Sequence, residues 1–66
     1  MEKLLTPAEV SEITGIKVGA LAQLRYMGTG PRFRALTPKN IRYSESDVAT
    51  WIEDSARTKT GELVSK

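Results

Sequence analysis

Apolar positions recur every three or four residues over 5–15 and again over 16–28. They recur every second residue over 32–43, then return to the longer spacing over 48–55. The order this predicts is helix, helix, two short strands, helix. Leu5-Thr6-Pro7-Ala8-Glu9-Val10 carries a full set of helix-start signals. Thr6 is the N-cap, Pro7 takes the first helical position, Glu9 completes a capping box, and Leu5 staples to Val10. That first helix is expected to turn Val10 and Ile13 inward and to stop at Gly15 in the left-handed conformation.

The second helix is predicted over Lys17–Met27, ending at Gly28. At about 100° per residue, Ala20, Leu21, Leu24 and Met27 fall on one side and are expected in the core. Val18, Gly19, Ala22, Gln23, Arg25 and Tyr26 fall on the other and are expected to face out. Gly28-Thr29-Gly30-Pro31 reads as a loop, followed by strands over Arg32–Leu36 and Ile41–Tyr43. Between them Thr37-Pro38-Lys39-Asn40 supplies Pro for the turn and Asn for a left-handed position. Two strands alone are barely stable, so this hairpin must lean on the helices, through Phe33, Leu36, Ile41 and Tyr43. The third helix repeats the first: Ser44 caps, Asp47 faces the positive end of the dipole, and Tyr43 staples to Val48. Val48, Trp51, Ile52 and Ser55 form its stripe, with Trp51 expected to anchor the core.

The pattern predicts a mainly α fold with a small β-hairpin, a winged helix-turn-helix. Residues 1–56 form the domain and 57–66, polar and aperiodic, a flexible C-terminal tail.

Composition narrows the function. Sixty-six residues make one domain with a modest core and no room for a large substrate cavity. There is no Cys and no His. The usual proton shuttle, thiol nucleophile and soft metal ligands are therefore missing, and no catalytic residue, metal or cofactor is expected. The carboxylates fall on capping and solvated positions. No apolar run approaches a membrane span, and no signal-peptide pattern opens the chain, so the expected location is the cytoplasm.

The net charge of +2 hides a partition. Residues 1–16 and 44–66 each carry a net −2. Residues 17–43 carry Lys17, Arg25, Arg32, Arg34, Lys39 and Arg42 with no acidic residue. Six cations in 27 residues are the footprint of a polyanion binder, although a solvated basic face would leave the same composition. Duplex DNA is the expected partner. On the second helix the candidate contacts are Lys17, Val18, Gly19, Ala22, Gln23, Arg25 and Tyr26. Gln23 suits a bidentate pair with adenine, Arg25 a guanine or phosphate, and Tyr26 a phosphate. On the wing they are Arg32, Arg34, Lys39, Asn40 and Arg42, suited to phosphates or a narrow minor groove. The alternative is a protein-interaction module whose basic face docks an acidic partner.

Several segments together carry a family resemblance: Leu5–Val10, Thr14-Gly15-Ile16, Leu21–Arg25, Gly28–Phe33, Ile41–Val48 and Trp51-Ile52. In this order and spacing they resemble the winged-helix domains of the excisionase group, the recombination directionality factors, related in fold to the mercury-resistance-type regulators. Temperate-phage excisionases, those of mycobacteriophages among them, look most similar. The resemblance covers roughly residues 4–54. It implies a second helix in the major groove and a wing along an adjacent minor groove. It also implies several copies side by side on bent attachment-site DNA, and a phage integrase biased toward excision in the bacterial host cell. A transcriptional regulator of the same fold is a close variant. Departures from the family pattern are Lys17, where members often carry Ser or Thr, and Gly19, Ala20 and Ala22, where larger polar side chains are usual. This helix offers a smooth outer face, so modest base specificity is expected.

Overall fold

The computed structural model describes residues 2–57. Three helices, α1 (Pro7–Thr14), α2 (Val18–Met27) and α3 (Glu45–Asp54), pack with three short strands, β1 (Leu4–Leu5), β2 (Arg34–Thr37) and β3 (Asn40–Ser44). This is a winged helix-turn-helix, mainly helical with a small sheet. No described helix is long and apolar enough to cross a membrane. The expected tail lies, from residue 58 on, outside the described residues.

The cap chemistry explains where α1 and α3 begin. Thr6 Oγ1 accepts from the Glu9 amide at 3.1 Å, and Glu9 Oε1 accepts from the Thr6 amide at 2.9 Å. The donation from Thr6 holds the Glu9 carboxyl below its ordinary value of 4.5. At α3, Ser44 Oγ accepts from the Asp47 amide at 3.2 Å. The Glu2 carboxylate accepts from Ser46, which lowers its pKa in the same way. Gly15 and Gly28 close α1 and α2 with φ of 77° and 73°, a region that costs any residue with a Cβ.

The sheet has a strand that the hydrophobic pattern did not predict. β1 pairs antiparallel with β3 in the register Leu4↔Ser44 and Leu5↔Tyr43, so the order is β1-β3-β2 and the hairpin supplies two of three strands, with β3 in the middle. β2 pairs with β3 through Arg34↔Arg42, Ala35↔Ile41 and Thr37↔Asn40, with an irregularity between Ala35 and Thr37. The predicted left-handed residue at Asn40 is absent. Among the described residues only Gly15 and Gly28 have positive φ, and Asn40 instead donates from Nδ2 to Thr37 Oγ1 at 2.6 Å, closing the turn.

The core is Leu5, Val10, Leu21, Tyr43 and Val48, with Ile16, Leu24 and Ile41 packed against it. Several expected core residues lie elsewhere. Ile13 is 57% exposed, Met27 62% and Leu36 56%; Ala20 is exposed, and Phe33 and Ile52 are only partly covered. Tyr43, fully buried on the central strand, is the largest side chain of the core that does form. Trp51 is half-buried and outside the core cluster. Its indole Nε1 donates to the Thr29 carbonyl at 3.1 Å, so it pins the loop after α2 to α3 instead of anchoring the core.

Candidate nucleic-acid interface

α2 carries the largest difference between expected and observed orientation. Leu21 is fully buried, Leu24, Arg25 and Ala22 are half-buried, and Gly19, Ala20, Gln23, Tyr26 and Met27 are exposed. Gln23 lies nearly opposite Leu21 and marks the centre of the outer face. The helix is turned from its expected orientation by roughly 80°, most of one residue's arc at 3.6 residues per turn. Ala20 and Met27 thereby join the outer face.

Arg25 accounts for the turn. It was expected to point outward, but its Nη1 donates to Tyr43 Oη at 2.7 Å and its guanidinium lies 5.8 Å from the centre of the Phe33 ring. Phe33 in turn meets Tyr43 at 6.5 Å in a tilted pair. A guanidinium bonded to a buried phenol and stacked on a ring is a polar residue used as packing. Its stem lies along the inner side of α2, where an apolarity count would never place it. The same contacts fix α2 against the wing. Gly30 tightens this joint: a Cβ there would lie 2.8 Å from Leu24 Cβ, so only glycine lets the loop cross so close to α2.

The remaining helix candidates lie at or beside this face. Lys17 caps α2 through its backbone alone and its side chain is exposed, as is Val18 after it. Tyr26 is 91% exposed. Gly19, Ala22, Gln23 and Tyr26 line one shallow depression. Within α2 itself, Arg25 is the sole charged residue, so with Arg25 turned to Tyr43 the outer face of the helix is uncharged.

The wing is the opposite. Arg32 is exposed in the loop before β2, Lys39 is exposed in the turn, and Asn40 is exposed beside it. Arg34 and Arg42 are directly opposed across β2 and β3, so their side chains leave the same face of the sheet. Two like charges in that relation repel. Partial relief comes from Asp47, whose Oδ2 lies 3.4 Å from Arg34 Nη1 and, though buried, accepts no hydrogen bond. Arg42 is half-buried and folds back to donate to the Ile41 carbonyl at 2.7 Å. An anion set between the two guanidinium groups would relieve the rest. Arg25, Arg32 and Arg34 also border one cleft between the end of α2 and β2.

The arrangement thus sets a helix with an uncharged outer face beside a hairpin and preceding loop that together bear four cations, joined through Arg25, Tyr43 and Gly30. The helix face is narrow enough to enter a major groove, and the cations are spaced along a ribbon that can follow a phosphate backbone. Ala20 and Met27 are the members of the outer face that sequence reasoning missed. No sequence signal marked them, because the contact that orients α2 joins Arg25 to a tyrosine 18 residues later.

No curated protein and no solved structure matches the chain. A family model for the helix-turn-helix domain matches residues 4–56. With most of its length covered by that model, and with the two helices, turn and wing in place, this chain belongs to the helix-turn-helix domain family, a family of DNA-binding proteins.

Proposed function

We propose that this protein is an excisionase-type architectural factor: several copies bind attachment-site DNA side by side, bend it, and bias a phage integrase toward excision. The observation that carries the reading is the division of chemistry between helix and wing. An outer α2 face of Gly19, Ala20, Gln23, Tyr26 and Met27 offers few hydrogen-bonding groups to base edges. Arg32, Arg34, Lys39 and Arg42 offer ample charge to the backbone. A protein with strong phosphate contacts and sparse base readout gains specificity from DNA shape and from neighbouring copies. That is the economy of an architectural protein, and the motifs shared with the excisionase group point the same way. The reading places the protein on DNA in a bacterial host cell and gives it no catalytic role.

A gel-shift titration on circularly permuted fragments of phage attachment-site DNA tests it, run at two salt concentrations. Successive, salt-sensitive shifts with position-dependent mobility are expected. A single unbent complex would replace this reading with that of a transcriptional regulator on the same fold. No complex at low salt would leave a module that docks an acidic protein.

A further inference from the structure

We infer that α2 reads A·T base pairs, with Gln23 paired to an adenine and Ala20 and Met27 packed on thymine methyl groups either side of it. The inference rests on the DNA-binding reading of α2 and specifies which bases that helix takes.

Three observations carry it. First, Ala20, Gln23 and Met27 are all exposed and follow one another at intervals of three and four residues, which makes them a single stripe along the outer face. The stripe from Ala20 to Met27 is about 10 Å long at 1.5 Å per residue. That is roughly three base-pair steps at 3.4 Å each. Second, Met27 is 62% exposed although apolar and flexible. In the major groove the apolar feature of a base edge is the C5-methyl group of thymine, and apolar side chains are its partners. Third, the commonest reader of guanine is an arginine, and the one arginine of α2 is committed to Tyr43 and Phe33. What remains on the stripe is an amide matched to adenine, flanked by two groups matched to methyls. Gly19, with open space where a Cβ would stand, keeps the helix slim enough to seat deeply.

The experiment uses the full chain. A duplex is selected from a random-sequence pool at physiological salt, then resynthesised with deoxyuridine replacing thymidine, which deletes only the methyl groups. Dissociation constants are measured by fluorescence anisotropy for the wild type and for Met27→Ala, an exposed substitution whose fold is checked by thermal melting. An enriched A·T core is expected. Binding should weaken about fourfold for each contacted methyl, the transfer value of one methyl-sized group. In Met27→Ala the penalty at one thymine should vanish, a result that a general effect of deoxyuridine on duplex shape would not give. Equal binding of the two duplexes, an enriched G·C core, or a penalty unchanged in Met27→Ala would overturn the inference while leaving salt-sensitive DNA binding intact. Absence of salt-sensitive binding to any duplex would instead overturn the DNA-binding reading, and this inference with it.

Discussion

The outer face of α2 and the wing are neighbours of unlike chemistry. The helix shows solvent a glycine, an alanine, an amide, a phenol and a thioether, while the hairpin and the loop before it show three arginines and a lysine. Both come from the same acid-free stretch of sequence, and the arginine that would have made them alike, Arg25, has been withdrawn to bridge them. Charge and shape have therefore been separated. A cation contributes to any sequence through the phosphates, whereas small apolar groups and one amide contribute only where the base edges match. The two surfaces should therefore fail differently when altered.

The largest effect is expected at the joint between them. Tyr43→Ala removes the central core ring and should cost about 3 to 5 kcal/mol, enough to unfold so small a domain, as a thermal melt by circular dichroism would record. Trp51→Ala should cost less, because Trp51 only pins a loop. A Trp51 variant as unstable as the Tyr43 variant would contradict that ranking.

Gly30→Ala forces a Cβ against Leu24 and should cost about 1 to 3 kcal/mol, the usual range for overpacking. It should also misalign helix and wing, weakening DNA binding beyond any loss of fold. Normal affinity in a folded Gly30→Ala protein would show that the two surfaces do not have to be held in register.

On the helix side, Gln23→Ala should relax preference at one base position by about 1 to 3 kcal/mol and leave the salt dependence alone, measured by competition among single-base variants. On the wing side the pattern reverses. Wild-type log K should fall with log salt at a slope near −4 to −5, for about five neutralised phosphates. Arg34→Ala and Lys39→Ala should each flatten that slope by about one with little change in base preference. A Gln23 variant that loses affinity uniformly, or an Arg34 variant that changes base preference, would erase the distinction.

The smallest effect is far from both surfaces. Because the Glu9 carboxyl sits below 4.5, its contribution to stability is present above that pH and lost as the pH falls through the lowered value. Glu9→Ala should have a shallower acid limb than wild type below about pH 4.5, with DNA binding at neutral pH unaffected.

How much of this was legible in the sequence depends on the range of the interaction. Local signals read true: the Thr6 and Ser44 caps, the Thr6–Glu9 box, the glycine stops at 15 and 28 and the Pro38 turn each act within four residues. β1 was not legible, since two residues cannot display an alternation and its pairing partner is some forty residues away. The orientation of α2 was not legible either. A helical wheel assigns the inner side to apolar residues, and the inner side here includes an arginine satisfied by a tyrosine 18 residues later. Of the candidate contacts, the structure keeps Gly19, Gln23 and Tyr26 on the outer face with Lys17 and Val18 exposed at its start, half-buries Ala22, and turns Arg25 inward. On the wing it leaves Arg32, Lys39 and Asn40 exposed, ties Arg34 to Asp47 and folds Arg42 back on its own strand.

The central claim is that α2 and the wing together form the DNA surface, and the most direct test is an NMR titration of the isotope-labelled chain with duplex DNA. The account predicts saturable, salt-sensitive shifts at Gly19, Ala20, Gln23, Tyr26 and Met27 and at Arg32, Arg34, Lys39 and Arg42, with the outer faces of α1 and α3 unmoved. Shifts centred on α1 and α3, or none at low salt, would contradict it.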